Sequence, residues 1–359
     1  SWNPGTLEFI GEWGYPKQKG SKEANMDRRE FLERLAGAGG AYFLSPLAAA
    51  CQSRMPLPPG VRAKIAFVKT SDRAAGVKKA IDLLKLDSFK NKTLFVKPNY
   101  NSADITPGST HNDTLVAMIE KLRDAGAKGF TIGDRSGMGN TKAVMEAKET
   151  FRVAKDLKTD TVVFDELTDA DWELFKPEGM NWSRGFALPK PVLRADAVVQ
   201  TCCLKTHRFG GHFTLSLKNS VGLAAKQLPG DNYNFMRELH SSPNQRRMIA
   251  EINAAYKPSL VVLDGVEAFT KGGPDKGDIV NSEVIIAGTD RIAIDAVGVA
   301  ILRHFGTTPE VSKGKIFEQE QIARAVELGL GVKSPDLIDF ITPDKASNEY
   351  ADLIKKQFA

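Results

Sequence analysis

Short apolar segments alternate with longer amphipathic segments along the chain from residue 64 onward. The short segments are rich in β-branched and aromatic residues, and most are followed by the three-to-four-residue spacing of apolar side chains that is typical of a helix. This alternation predicts repeated strand–helix–strand units. We therefore expect an α/β fold with a mainly parallel sheet and helices on both faces.

The predicted elements fill one domain over residues 64–359. The segments assigned to strands are 64–70, 93–99, 129–134, 161–166, 195–203, 259–265, 283–288 and 337–342. The segments assigned to helices lie near 73–86, 113–125, 140–156, 244–256, 290–304 and 317–329. Residues 167–190 or 205–243 interrupt the alternation and are interpreted as cap-like insertions.

The chain before this domain has a different pattern. Residues 1–25 precede a plausible initiator, Met26, and are interpreted as an upstream extension outside the fold. Residues 26–51 combine paired arginines with an alanine- and glycine-rich apolar stretch that is too short to hold a helix across the ~30 Å bilayer core. This leader resembles a twin-arginine export signal. The proline-containing residues 52–63 predict a linker.

The leader predicts a destination for the protein. Its resemblance implies passage through the twin-arginine translocation machinery to the periplasm or cell envelope. Small residues before Cys51 suit either signal-peptidase cleavage or a lipobox in which Cys51 carries a lipid anchor. Leu47 lies one position too early for the usual lipobox, which favours cleavage.

Composition narrows the classes of partner. The net charge of +5 comes from basic residues interspersed with nearly as many acidic ones, a pattern that does not favour nucleic-acid binding. A basic pocket for a small anionic molecule is compatible with the same charge. The three cysteines, Cys51, Cys202 and Cys203, are too few for an iron–sulfur cluster built from this chain's own cysteines. Cys202 and Cys203 lie in an apolar segment and are expected to be buried as small hydrophobic residues.

Polar side chains follow the ends of the predicted strands. They are Lys97, Asn99, Asp134, Arg135, Lys205, His207 and Asp264. Because the carboxyl ends of parallel strands meet at one edge of the sheet, where ligands commonly bind, we expect these side chains to surround one crevice. Lys97, Asn99, Asp134, Arg135 and Lys205 would bind the substrate, while His207 and Asp264 would act in acid–base catalysis.

Residues 203–222 contain the densest group of reactive side chains. His207 and His212 lie five positions apart across two glycines, so a tight turn would aim both rings at one point for acid–base catalysis or for a divalent metal. Lys218 is expected to neutralise an anion or to act in catalysis, and Asn219 to orient the substrate.

Other polar residues have structural alternatives. His111 is expected to bind substrate or to cap the following helix, for which Asn112 or Asp113 is the predicted cap. Asp290 is predicted to cap a later helix. Asp295 lies inside the apolar part of that helix and needs a partner if it is buried.

An ordered set of motifs resembles a known family. The stretches VKPN, GDRSG, LKTH, TLSLKN, VLDG and AGTDRIAIDAVG, spread over residues 64–305, are similar to the family catalogued as domain of unknown function 362. The resemblance implies one domain with a shared site and implies no reaction. Some members carry a ferredoxin-like segment with clustered cysteines, which this sequence lacks.

Two functions are compatible with these observations. The first is an exported enzyme that acts on a small anionic substrate, with Lys218 among the catalytic residues and a divalent metal as an optional cofactor. The second is a non-catalytic protein that binds a metal or cofactor, or assists assembly, for an exported redox complex of the envelope. The sequence leaves open whether the protein is an enzyme.

Overall fold

A computed structural model describes residues 61–87 and 89–358. The predicted upstream extension, the twin-arginine-like leader with Cys51, and most of the predicted linker lie outside the described residues. Their roles therefore stay predictions.

The described residues contain strands and helices in alternation. The strands are β1 (Ala63–Lys69), β2 (Thr93–Lys97), β3 (Gly129–Asp134), β4 (Asp160–Val163), β5 (Trp172–Phe175), β6 (Phe186–Pro189), β7 (Ala197–His207), β8 (His212–Thr214), β9 (Pro258–Gly272), β10 (Gly277–Gly288) and β11 (Ile338–Ile341). The α-helices are α1 (Arg73–Leu84), α2 (Asn112–Asp124), α3 (Thr141–Ala147), α4 (Thr150–Leu157), α5 (Lys190–Arg194), α6 (Ser216–Asn219), α7 (Phe235–Ser241), α8 (Gln245–Ile252), α9 (Arg291–His304), α10 (Pro309–Ser312), α11 (Glu320–Glu327) and α12 (Lys345–Lys355).

Nine of the described strands form one mixed sheet in the order β11-β1-β10-β9-β7-β2-β3-β4, with β8 added to β7. The pairs β11–β1, β9–β7, β7–β2, β2–β3 and β3–β4 are parallel. The mainly parallel sheet predicted from the sequence is confirmed. Strand β10 runs antiparallel to both neighbours, because it returns from β9 through a tight turn that pairs Gly277 with Gly272.

Apolar side chains leave the central strands on both faces, and helices cover each face. On β1, Ile65 and Phe67 join one core with residues of α9, α11 and α12. The intervening Ala66 and Val68 join a second core with residues of α1 and α2. Because successive side chains of a strand point to opposite faces, this division is the one that a sheet buried on both sides requires. The prediction of helices on both faces is confirmed.

Several element boundaries differ from prediction. Strand β9 continues through Asp264 to Gly272, whereas the sequence predicts an end at residue 265. The single helix predicted over 140–156 is two helices, because Glu149 between α3 and α4 has a left-handed backbone with φ of 57°. Asn140 caps α3 by accepting the backbone N–H of Ala143 at 3.0 Å.

The two segments interpreted as cap-like insertions, residues 167–190 and 205–243, differ in structure. Residues 167–190 contain β5 and β6, which form a separate two-stranded antiparallel sheet. Residues 205–207 instead continue β7, and nearly all of residues 213–225 are buried, so this part of the second segment belongs to the interior. In the ranges that the structure describes, no helix has both the length and the apolar character needed to cross a membrane.

Candidate functional site

Three neighbouring strands bring polar side chains to one edge of the sheet. Strand β2 lies between β3 and β7 and is parallel to both, so the carboxyl ends of these strands face the same way. They end at Lys97, Asp134 and His207, and all three residues line a small cavity of about 50 Å³. The convergence at this edge follows from the topology of parallel strands.

A buried ion pair lies on the wall of this inner cavity. Lys97 Nζ is 2.7 Å from Asp134 Oδ1, and both side chains are almost completely excluded from solvent. Burial lowers the pKa of Lys97 and raises that of Asp134, while their mutual attraction opposes both shifts. The carboxylate also accepts the backbone N–H groups of Tyr100 at 2.8 Å and Arg135 at 2.7 Å, which favours its charged form.

Lys97 is fully engaged with protein atoms. Besides Asp134, its Nζ donates to the Pro98 carbonyl at 2.7 Å and to Asn219 Oδ1 at 3.2 Å. Asn219 is itself fixed, because its Nδ2 donates to the carbonyl of Thr201 at 2.9 Å. An ammonium group has three donors, and these three partners use all of them, so Lys97 has no free hydrogen bond to offer a ligand.

Arg135 adds a second buried positive charge to the lining. Its Nε donates to the carbonyl of Ala224 at 2.8 Å, and one terminal nitrogen donates to the carbonyl of Val221 at 2.7 Å. These bonds tie the segment after α6 to the end of β3. The guanidinium therefore holds this segment in place and also adds positive charge to the wall of the cavity.

Lys218 differs from the buried cations Lys97 and Arg135 because no described residue is its partner. Within the described part of the chain, its Nζ has no hydrogen bond and no ion pair, although the side chain is only 8% exposed. Burial and the nearby charges of Lys205 and Arg135 lower the pKa of Lys218 to about 7. A lysine with this pKa exchanges a proton readily near neutral pH.

His207 lies beside Lys218 on the same wall. A Cβ atom placed on Gly211 would be 2.5 Å from Lys218 Cε and 3.1 Å from His207 Nδ1, so this glycine allows the two side chains to approach the turn closely. Burial, followed by the charge of Lys218, lowers the pKa of His207 well below its ordinary value. The imidazole is therefore neutral at neutral pH, and its Nδ1 is buried without a hydrogen-bond partner among the residues that the structure describes.

Unpartnered polar atoms surround the inner cavity. Within the part of the chain that the structure describes, five residues that line it have a buried polar atom without a hydrogen bond: Asn99 Oδ1, Tyr100 Oη, Asn101 Nδ2, His207 Nδ1 and Thr214 Oγ1. Buried polar groups are normally hydrogen-bonded, so a cluster of exceptions around one cavity indicates that a polar ligand or water completes the bonding.

His212 faces a different space. It pairs with His207 across the β7–β8 turn, but lines a separate cavity of about 340 Å³ together with His207 and Glu310. Among the described residues, no group of three or more histidine, cysteine, aspartate or glutamate side chains is arranged to hold a metal ion. A metal at His207 and His212 would need its remaining ligands from a substrate or from water.

Three residues predicted for the site do not line any of these cavities. Asp264 lies within β9 instead of at its end, and it accepts hydrogen bonds from Arg73 Nε at 3.1 Å and Thr114 Oγ1 at 2.6 Å. Lys205 is also completely buried. Its ammonium donates to the carbonyls of Gly108 and Pro274, at 3.1 Å in the second case, and so joins two loops.

His111 is the third residue outside the cavities. It lies at the start of α2, where its Nδ1 accepts the backbone N–H of Asp113 at 3.1 Å. The predicted cap of this helix, Asn112 or Asp113, is wrong: both residues fall inside the first turn, and the imidazole occupies the cap position. His111 therefore caps the helix, which is the second of the two roles expected for it.

Sequence reasoning missed several residues that line the cavity, among them Tyr100, Asn101, Thr214 and Gly222. Asn101 follows Asn99 by two positions, and its polar side chain in a segment rich in asparagine was the only signal available. Gly222 carries no functional group, yet a Cβ there would lie 2.6 Å from Asp134 Oδ1 and 2.8 Å from Lys97 Nζ. Glycine at this position leaves room for the ion pair between Lys97 and Asp134, which any larger residue would contact too closely.

The chain is similar in sequence to a thylakoid-associated protein. The thylakoid-associated protein sll1697 of Synechocystis sp. is 26% identical over 216 residues, which are 58% of this chain and 63% of that protein. The chain thus spans less than two thirds of the length of this relative.

A solved structure, the lactate racemase apoprotein from Thermoanaerobacterium thermosaccharolyticum, is similar over 84% of this chain and 88% of that one, with 15% identity and a TM-score of 0.41. Likeness at that level carries no argument about activity. The family model described as Domain of unknown function (DUF362) matches residues 94–300, more than half of the chain, and the protein therefore belongs to this family.

Proposed function

We propose that the protein is an enzyme that binds a small anionic substrate in the inner cavity and uses Lys218 to transfer a proton. The observation that carries the proposal is the state of this lysine. It is buried, lines the cavity, has a pKa of about 7 and has no partner among the described residues. A buried ammonium without a counter-ion is unfavourable unless a ligand supplies the negative charge.

The surrounding charges support an anion as the ligand. Lys97 and Asp134 neutralise each other, whereas Arg135 has no described carboxylate within salt-bridge distance and adds positive potential. An anion bound next to Lys218 would meet a positive potential at low dielectric, where electrostatic attraction is stronger than in water. Asn101 Nδ2 and Thr214 Oγ1, which have no hydrogen-bond partner among the described residues, would donate hydrogen bonds to the anion.

The lysine and the histidine have complementary roles in this proposal. With a pKa near 7, Lys218 is charged in part of the population and neutral in the rest, so it suits either direction of proton transfer. His207 is neutral and lines the same cavity as Lys218. Its Nδ1 has no partner among the described residues, so it suits a hydrogen bond to the substrate. A divalent metal at His207 would need substrate or water as its remaining ligands.

Binding of simple anions tests the first half of the proposal. Phosphate, sulfate and acetate are titrated into the purified protein at about pH 6.5 and followed by calorimetry and thermal unfolding. We expect Lys218→Met to weaken binding by about tenfold or more, because the variant keeps the side-chain volume and removes the charge. Lys315→Met is the matched control, since Lys315 has a 79% exposed side chain. Equal anion affinity in wild type and Lys218→Met would refute the proposal.

Turnover tests the second half. A panel of small carboxylates and phosphate esters is incubated with the protein and followed by NMR, and a reacting compound should show a kcat that depends on a group with a pKa of about 7. Anion binding with a stoichiometric metal or cofactor but without turnover would favour the alternative, a carrier or assembly protein for an exported redox complex.

Export is proposed from the sequence of residues 26–51. A reporter fused behind this segment should reach the periplasm, and the double substitution Arg28→Lys and Arg29→Lys should keep it in the cytoplasm. Export of the variant reporter to the same extent would contradict recognition by the twin-arginine machinery. Retention on membranes that disappears in Cys51→Ser would identify a lipid anchor.

A further inference from the structure

A second cavity, of about 310 Å³, adjoins the inner one. Seven residues line both cavities, among them Arg135, His207 and Lys218. A molecule bound beside Lys218 can therefore extend into the larger space without leaving the protein. We call the larger space the outer cavity.

The residues that line only the outer cavity differ in chemistry from those of the inner one. Met138, Phe209 and Met236 are apolar, Lys226 is basic, and His240 is an imidazole whose pKa is lowered by burial. Of the described residues, no aspartate or glutamate lines this space. The outer cavity thus offers apolar contact in surroundings that favour negative charge.

Two of these apolar side chains are partly exposed to solvent. Phe209 is 48% exposed and Met138 is 41% exposed. The Phe209 ring is held in place, because the Arg208 guanidinium lies 4.4 Å from its centroid and the His207 ring meets it edge-on at 5.8 Å. A fixed aromatic ring at the side of a cavity offers a surface on which a flat or branched apolar group can pack.

We infer that the substrate is an amphipathic small organic anion, an inference that rests on the proposed function. Its carboxylate or phosphate head occupies the inner cavity beside Lys218, and its apolar body occupies the outer cavity against Phe209 and Met138. The inner cavity, at about 50 Å³, has room for a head group of a few heavy atoms and no more. The apolar body must therefore lie outside it.

Matched pairs of ligands test the inference with the purified full-length protein. Acetate is compared with phenylacetate, phosphate with phenyl phosphate, and benzyl alcohol serves as the apolar body without an anionic head. We expect the phenyl group to tighten binding by about tenfold or more within each anionic pair, and benzyl alcohol to bind far more weakly than phenylacetate. The preferred pair shows whether the head is a carboxylate or a phosphate.

Variants locate the apolar body. Phe209→Ala and Met138→Ala should each reduce the gain from the phenyl group by about threefold or more while leaving acetate or phosphate affinity unchanged. Leu353→Ala is the matched control, because this side chain is 44% exposed on α12. It should keep the full gain. Both test substitutions remove partly exposed side chains, so loss of folding is not expected.

The outcomes separate this inference from the proposed function. If simple anions bind and the phenyl group adds nothing, the amphipathic substrate is wrong and the proposed function stands. If no anion binds, with or without a phenyl group, both are wrong. Benzyl alcohol binding as tightly as phenylacetate, or a phenyl gain that both variants retain, would also overturn the inference.

Discussion

Asp295 accepts a hydrogen bond from the backbone N–H of Ser216 at 2.7 Å, and its second oxygen accepts one from Leu217 at 3.1 Å. These two N–H groups lie at the start of the short helix α6, where a helix has no internal acceptors for them. Lys218 follows in the same turn. The carboxyl group predicted to need a partner thus fixes, from within α9, the turn that carries the proposed catalytic lysine.

Replacing this carboxylate by an amide should change the pH dependence of stability. Burial raises the pKa of Asp295 to about 8, above the ordinary value of 3.8. The contribution from its protonation is fully present below about pH 4 and is lost as the pH rises to about 8. Asp295→Asn cannot ionise, so the stability of wild type relative to the variant should fall by about 1.4 kcal/mol per pH unit between these limits.

Urea unfolding at several pH values measures this difference. Asp295→Asn also loses one acceptor, which should cost about 1–3 kcal/mol at the acid end of the range. Asp352→Asn, at an exposed position on α12, is the control and should follow the wild-type curve. Parallel curves for wild type and Asp295→Asn would show that Asp295 does not titrate in this range.

Lys218→Met should make the ligand-free protein more stable. The pKa of Lys218 is lowered from 10.5 to about 7, so folding of the charged form is disfavoured. That cost is fully present below about pH 7 and is relieved as the pH rises toward 10.5. The variant should therefore exceed wild type in stability most at about pH 6, with the gain shrinking by about 1.4 kcal/mol per pH unit above pH 7.

The same unfolding measurements, with Lys315→Met as the control, test this prediction. A ligand-free Lys218→Met protein that is no more stable than wild type at about pH 6 would mean that the ammonium already has a partner. A substitution that stabilises the ligand-free protein and weakens anion binding is the pattern expected of a functional group held in an unfavourable environment.

The sequence pattern predicts the central strands well because they are buried on both faces. Strand β3 matches its predicted bounds, and β1 is displaced by one residue at each end. The sequence pattern does not predict the β9–β10 hairpin, because Ile279 and Val280 are the only apolar residues from Gly277 to Asn281, and this part of β10 is partly or fully exposed. A strand that extends beyond the sheet's core has no apolar run to reveal it.

Strand length also explains which site residues the sequence could predict. Lys97 and Asp134 lie at the true ends of β2 and β3 and therefore reach the edge together. Asp264 was assigned to the end of a strand that continues to Gly272, so its side chain lies deeper in the sheet and bonds to neighbouring elements. The ends of strands are the least certain part of any such prediction, and the composition of the site depends on them.

The ion pair between Lys97 and Asp134 should show strong coupling. Either Lys97→Met or Asp134→Asn alone leaves one buried charge without its partner, which should cost about 3–5 kcal/mol. The double variant removes both charges and should cost clearly less than the sum of the two single substitutions. A double-mutant cycle from urea unfolding measures this coupling. Additive effects would show that the two groups do not act as a buried ion pair.

Gly222→Ala should impair the inner cavity although it adds only a methyl group. The new Cβ would lie 2.6 Å from Asp134 Oδ1 and 2.8 Å from Lys97 Nζ, so the ion pair or the 3₁₀ turn over Ser220–Leu223 must shift. We expect a loss of about 1–3 kcal/mol in stability.

Gly222→Ala should also lower the affinity for anions, because the same turn supplies the Val221 carbonyl that holds Arg135. The matched control is Gly129→Ala on β3, where a Cβ would meet Thr93 Cγ2 at an ordinary 3.6 Å. Calorimetric titration with phosphate and urea unfolding should separate the two variants, with Gly129→Ala close to wild type in both. If Gly222→Ala binds phosphate as wild type does, close contact over the ion pair is not needed for the site.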